Sequence, residues 1–281
     1  MSSISAMWCS ATGGDTLGSP VMFNLGDSAG ALANYRKAVA IGQEIYDADP
    51  NDTTAKFDLA TGLQRMGMID VPASGMAESI AALQRSAAML ESIVANDPKN
   101  ISRKRMLALS LEYLGHRLQS LGRYHEAMAN YQKSLTLAEG FLAPNPKDHS
   151  GLSQALASGR GLATATALAG DRTAALRIIK QTLTRAEASV PNDPRGGQRH
   201  VAETSSEQGL IYEIFARHDL PAQKTQDWEA ARSLLTRSVS LLQALPGGGK
   251  LASIEATDLE NAQKRLVEAN KHLPPAHPAH P

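Results

Sequence analysis

Gly115-His-Arg-Leu-Gln-Ser-Leu-Gly122-Arg-Tyr124-His-Glu-Ala127-Met-Ala-Asn-Tyr131-Gln-Lys-Ser134, running on to Asn145-Pro146, reads as the end of one helix, a tight glycine turn, a second helix and a proline stop. The same phrase returns along the chain. Pro50, Pro98, Pro146 and Pro194 are 48 residues apart at each step, and each follows an acid or amide: Asp49, Asp97, Asn145 and Asp193. Gly26, Gly122 and Gly170 fall on the same grid, with Ser74 in the slot between. A fixed stride of this length belongs to stacked repeats, in which each copy buries its apolar face against the next.

Helical stripes fill the intervals. Asp27 or Ser28 caps a helix to about Asp47, with Ala31, Leu32, Tyr35, Ala38, Val39 and Ile45 on one face. Asn51-Asp52-Thr53-Thr54 supplies cap oxygens for a second helix, which carries Phe57, Leu59, Leu63 and Met66 to about Ile69. Pro72 and Gly75 turn the chain into a third helix over about 76–95. Further helices are predicted over 101–121, 123–142, 149–169 and 171–190, then from Gly197 to about Arg217. A long loop over 218–226 precedes helices over 227–245 and 253–272. That is ten helices and no strand. Residues 1–23 and the Pro/His tail 273–281 are expected to be disordered, leaving 24–272 as one repeat domain.

Composition narrows the function. Hydrophobic residues make up 42% of the 281 but aromatics only 4%, so Ala and Leu must pack the helices. Lys+Arg and Asp+Glu balance at 28 each, which gives no net field to hold nucleic acid or an anionic membrane. The lone Cys9 excludes an internal disulfide and a cysteine zinc site. No apolar run reaches the roughly 18–20 residues of a membrane span, and the start carries no signal peptide, so a cytoplasmic location is expected.

Motifs for chemistry are weak. Pro246-Gly-Gly-Gly-Lys250 lacks the leading Gly, the Ser/Thr after Lys and the preceding strand of a phosphate loop. His116 and His125 lie on either side of a turn, and His272, His277 and His280 sit in or beside the tail; none has metal-ligand spacing. Asn51-Asp-Thr53 and Asn100-Ile-Ser102 match the glycosylation pattern but fall where helices need caps. Glu112, Glu203 and Glu207 have no paired acid or nucleophile at close spacing. No enzyme activity, cofactor or metal is expected.

The second copy resembles the tetratricopeptide repeat. Leu111, Leu114-Gly115, Leu118, Gly122, Tyr124, Ala127, Tyr131 and Ser134 stand at that family's spacings, and Pro146 arrives seven residues late. The usual unit is about 34 residues. The 14 extra are assigned as seven to each helix, nearly two turns, which keeps the packing faces in phase. The resemblance implies an all-α, right-handed α-solenoid of helical hairpins. It also implies a groove lined by the first helix of each pair. Carried over copy by copy, the groove positions are Thr61, Gln64 and Met68; Leu109, Glu112, His116 and Gln119; Arg160 and Thr164; Gln208 and Tyr212. The expected function is binding of a protein or peptide there, without catalysis; a small-molecule-binding helical protein is the rival class. Residues 14–272 also resemble the C-terminal repeat region of large bacterial serine/threonine protein kinases, which would make the chain an extracytoplasmic regulatory fragment. No kinase catalytic motif is present. The first helix has no preceding partner, since Gly13, Gly14, Gly18 and Pro20 rule one out, and a homodimer through that helix is expected.

Overall fold

Caps, glycines and prolines set where each helix begins and ends. The structure, a computed structural model, describes residues 28–69, 71–218, 221–245 and 251–273. The expected lead-in, the glycines and proline within it, the segment 246–250 and the tail beyond Leu273 lie outside them. Among the described residues there are ten α-helices and no strand. They are α1 (Ser28–Ala48), α2 (Thr53–Met68), α3 (Met76–Asn96), α4 (Ile101–Ser120) and α5 (Tyr124–Leu142). There follow α6 (His149–Leu168), α7 (Arg172–Ser189), α8 (Pro194–His218), α9 (Pro221–Gln243) and α10 (Ser253–Lys271).

The 48-residue grid is visible in the caps. Asp52, Asn100 and Asp148 cap α2, α4 and α6, each accepting main-chain N–H bonds from the first turn. Asn100 is therefore the capping oxygen that its sequon position suggested. In the fourth copy the cap moves three residues earlier. Asp193 accepts from Gly196 N at 2.9 Å, and Pro194 becomes the first helical residue rather than a stop. Proline tolerates that position because its missing N–H would have no helical partner there. The same logic corrects the long loop expected over 218–226: α9 starts at Pro221, not Asp227.

Two turns need glycine. Gly122 and Gly170 have φ of 75° and 92°, the left-handed region. Each is followed by an N–H that reaches back five residues, Arg123 to Leu118 O at 3.0 Å and Asp171 to Thr166 O at 3.1 Å. This closes a helix with its last carbonyls satisfied. Ser74 cannot do so cheaply, and there the chain uses a 3₁₀ turn over Ala73–Gly75 instead. Gly122→Ala is expected to cost about 1 kcal/mol. Gly140→Ala, on an open helix face, should stabilise by up to about 1 kcal/mol. Urea midpoints that move in the same direction for both would contradict this.

The chain divides into two compact units, residues up to Pro146 and residues from Lys147. In the first, α1–α5 pack around Tyr35, Leu59, Leu63, Leu90, Ile93 and Leu111. The same polar stitch recurs one stride apart: Ser86 Oγ donates to Ala60 O at 2.8 Å and Ser134 Oγ to Ala108 O at 2.7 Å. In the second unit, Ala163, Ala175, Ile179, Ile211 and Phe215 join α6, α7 and α8. Trp228, Leu235, Ala269 and Leu273 join α9 to α10. Leu273 thus belongs to the packed repeat, one residue past the expected boundary. Within each unit, among the described residues, helices touch only their neighbours and the helix after next.

Candidate functional site

The first helices of the second unit, α6, α8 and α10, carry charges at helical spacing. On α8, Arg199, Glu203, Ser206 and Glu207 recur at i, i+4, i+7 and i+8 and so share one face. Asp258 and Arg265 do the same on α10. These side chains and Arg160 of α6 line a cavity of about 360 Å³. Arg160 Nη2 is 3.0 Å from Glu203 Oε2, and Arg199 Nη2 is 2.6 Å from Glu203 Oε1. Arg199 Nε donates to Asp258 Oδ2 at 3.3 Å. Arg265 donates to Ser206 Oγ at 3.2 Å and to Glu213 Oε1 at 3.4 Å. Thr164 Oγ1 donates to Glu207 Oε1. Arg195, at the start of α8, pairs with Glu255 at 2.6 Å. A ladder of ion pairs therefore joins the three first helices.

Burial and neighbours push the carboxyls apart. Burial raises Glu203, but Arg160, His200 and Arg199 together overcome it and hold the group down at about 2. Asp258 is raised, first by burial and then by the Glu203 charge. Glu213 is raised by burial, which Arg265 only partly offsets. A carboxyl depressed in the fold stabilises above its unfolded value and loses that contribution as pH falls toward the folded one. Glu203→Gln is therefore expected to destabilise by about 2–3 kcal/mol at pH 7. The gap to wild type should shrink as pH falls from about 4.5 toward 2, as urea midpoints would show. Asp258 and Glu213 act in the opposite sense, stabilising most at low pH and losing that contribution as pH rises through their folded values. A pH-independent gap for Glu203→Gln would contradict the assignment. What these groups offer is charged hydrogen bonding. Among the described residues no group of three or more His, Cys, Asp or Glu is placed to hold a metal. No helix of the described chain is long and apolar enough to cross a membrane.

A tetratricopeptide repeat family model matches residues 107–140, which hold most of α4, the Gly122 turn and nearly all of α5. Solved structures share the fold over most of the chain. A Podosopora anserina kinesin light chain-like protein of nearly identical TPR-like repeats aligns with a TM-score of 0.55 and 16% identity, covering 86% of this chain and 97% of that one. BtubC (BKLC) from P. vanneervenii aligns with a TM-score of 0.52 and 14% identity, covering 89% and 95%. The chain has a tetratricopeptide-like repeat fold. No curated protein sequence is a significant match. The kinase resemblance has no support in these comparisons.

The positions expected to line the groove differ in their surroundings. Arg160 lines the charged cavity described above. Gln64 and Thr164, expected at the surface, are instead buried. Gln64 donates to Met106 O and to Ser110 Oγ, both at 2.7 Å, and ties α2 to α4. Thr164 serves Glu207. Thr61, Met68, Leu109, Gln119, Gln208 and Tyr212 are half-buried. Tyr212 lies 5.9 Å from the Arg172 guanidinium, beside an ion pair that links α7 to α9. Glu112 is buried beside exposed His116 at 3.5 Å, and His116 Nδ1 shares a 2.9 Å hydrogen bond with Tyr131.

The sequence did not single out Arg199 or Ser206, and Asp258 and Arg265 read there as charges of a terminal cap helix facing water. Sequence reasoning considered Glu203 and Glu207 only as acids for catalysis. It missed Arg117 as well, which donates to Met68 O and Ile69 O at 3.1 and 2.9 Å and so satisfies the carbonyl end of α2. A signal for the cavity was present: 195 to 255, 199 to 258 and 206 to 265 repeat a step of 59–60 between charged or polar partners.

Proposed function

We propose that this chain is a non-catalytic interaction module whose first-helix face takes an extended segment of a protein partner. The charged cavity between α6, α8 and α10 carries the reading, because it opens between first helices and its walls are polar and fixed by ion pairs. Rigid, prepaired side chains favour recognition, since little rotamer freedom is lost on binding. In the first unit, Glu112 and His116 present a second polar pair on α4. Such a face reads a peptide by hydrogen bonds, with a few apolar contacts from residues such as Leu109.

The test is capture of partners by the purified chain, compared with a Glu112→Ala/His116→Ala/Arg160→Ala variant whose helicity is checked by circular dichroism. Partners retained by the wild type and lost by the folded variant would support the proposal; equal capture would overturn it. A cavity of about 360 Å³ also lies within the size range of small-ligand sites. A polar metabolite is therefore the second reading, favoured if a compound screen gives a large thermal shift.

A further inference from the structure

The cavity on α6, α8 and α10 has more to offer than its ion pairs use. Arg160 Nη1 and Arg265 Nη2 are buried and meet no acceptor among the described residues, and neither does the buried Ser238 hydroxyl from α9. All three belong to residues that line the cavity. An unmet buried donor is costly, so a site that keeps several is arranged for an acceptor from outside.

Charge decides what kind of acceptor. Three arginines (Arg160, Arg199 and Arg265) face three carboxylates (Glu203, Glu207 and Asp258), so the lining is neutral overall. A ligand carboxylate or phosphate would gain two guanidinium contacts but would have to sit among three like charges. An ammonium group would meet donors it cannot use. A neutral amide fits both halves: its carbonyl accepts from Arg160, Arg265 or Ser238, and its N–H donates to Glu207 or Asp258. Leu242 and Ile254, also in the lining, suit the methylenes that carry such a group, and Ile254 is 37% exposed.

We infer that this cavity is an amide-reading subsite, which takes an Asn or Gln side chain, or a main-chain peptide group, of a bound segment. The inference rests on the peptide-binding reading above and adds the chemistry of what is recognised. Arginine is needed at 160 and 265 because part of each fork is engaged by Glu203 or by Ser206 and Glu213 while another nitrogen of the same fork has no partner among the described residues; a lysine keeps the charge but not the second donor direction.

Side-chain Nε–Hε NMR signals of the full chain report on it directly. The probes are acetyl-(Gly-Gln)4-amide, acetyl-(Gly-Glu)4-amide and acetyl-(Gly-Ala)4-amide, with inorganic phosphate as the free anion. The Gln peptide is expected to shift the Arg160 and Arg265 signals and to bind at least about tenfold more tightly than the Glu peptide or phosphate. Equal shifts with the Ala peptide would assign the subsite to main-chain amides; a response to Gln alone would assign it to side chains. Arg160→Lys and Arg265→Lys should each weaken the Gln peptide about tenfold. Ser238→Ala, which leaves every ion pair in place, should weaken it severalfold. Tighter binding of the Glu peptide or of phosphate would overturn the inference. So would peptide binding that leaves both arginine signals unmoved, and that outcome would spare the interaction-module reading. No binding of any probe would overturn the inference alone, since partner capture tests the broader reading separately.

Discussion

Arg172→Ala is expected to lower the stability of the chain by about 3–5 kcal/mol, read from the urea midpoint. Arg172 opens α7, and its Nη1 and Nη2 donate to Asp227 on α9 at 2.9 and 2.5 Å. The guanidinium also lies 4.7 Å from the centre of the Phe215 ring. The Asp227 side chain is only 2% exposed. With the arginine gone, that carboxylate stays in a dry site with Gln223 Nε2, at 3.4 Å, as a remaining donor. Removing one member of a buried pair strands the other charge, which costs far more than the pair itself contributes. An Arg172→Met/Asp227→Leu double variant should therefore recover most of the loss. Arg237→Ala, which breaks an exposed pair with Glu187, should leave the midpoint almost unmoved. Similar small effects at Arg172 and Arg237 would remove the α7–α9 pair as a fold-holding feature.

Ala127→Trp should cost about 3 kcal/mol or more, whereas Ala88→Trp should fall within about 0.5 kcal/mol of wild type. Ala127 is fully buried in α5, and Ala88 is on the exposed face of α3. The α4–α5 approach leaves no slack: a Cβ built on Gly115 would lie 2.8 Å from Tyr131 Cε1. Tyr131 is itself buried and held through its hydroxyl to His116. An indole at 127 must push the two helices apart. Equal urea midpoints for the two variants would contradict the packing register.

Most helix ends were legible because short-range chemistry sets them. A cap oxygen, a left-handed glycine or a stripe at 3.6-residue spacing acts within a turn or two. Thus α3, α5 and α10 end within a residue or two of expectation. The errors have the same local origin. Asp193 and Pro194 read as a stop by analogy with Asp97 and Pro98, yet Asp193 can cap as well as terminate, and here it caps.

The site was less legible, for a reason of reach. Copying groove positions by 48 assumes that every first helix presents the same face, but Gln64 and Thr164 turn inward to partners 42–46 residues on. The last hairpin is longer, so its contacts step by 59–60, and the grid could not place Asp258 or Arg265 beside α8. Charge pairing between helices depends on tertiary offset, which the hydrophobic period does not encode.

In the first unit one helical hairpin rests on the next, at the stride that the Asp52 and Asn100 caps mark. Cross-linking within that unit, in a Cys9→Ser background, reads this stacking out. Gln43 bonds Arg85, and Glu91 pairs with Lys133 at 3.1 Å, each partner 42 residues on. Cysteine pairs at 43/85 and 91/133 should be joined rapidly by a short bis-maleimide, while a 43/133 pair, two hairpins apart, should not. Efficient 43/133 cross-linking, with the neighbouring pairs unreactive, would contradict neighbour-on-neighbour stacking of the hairpins.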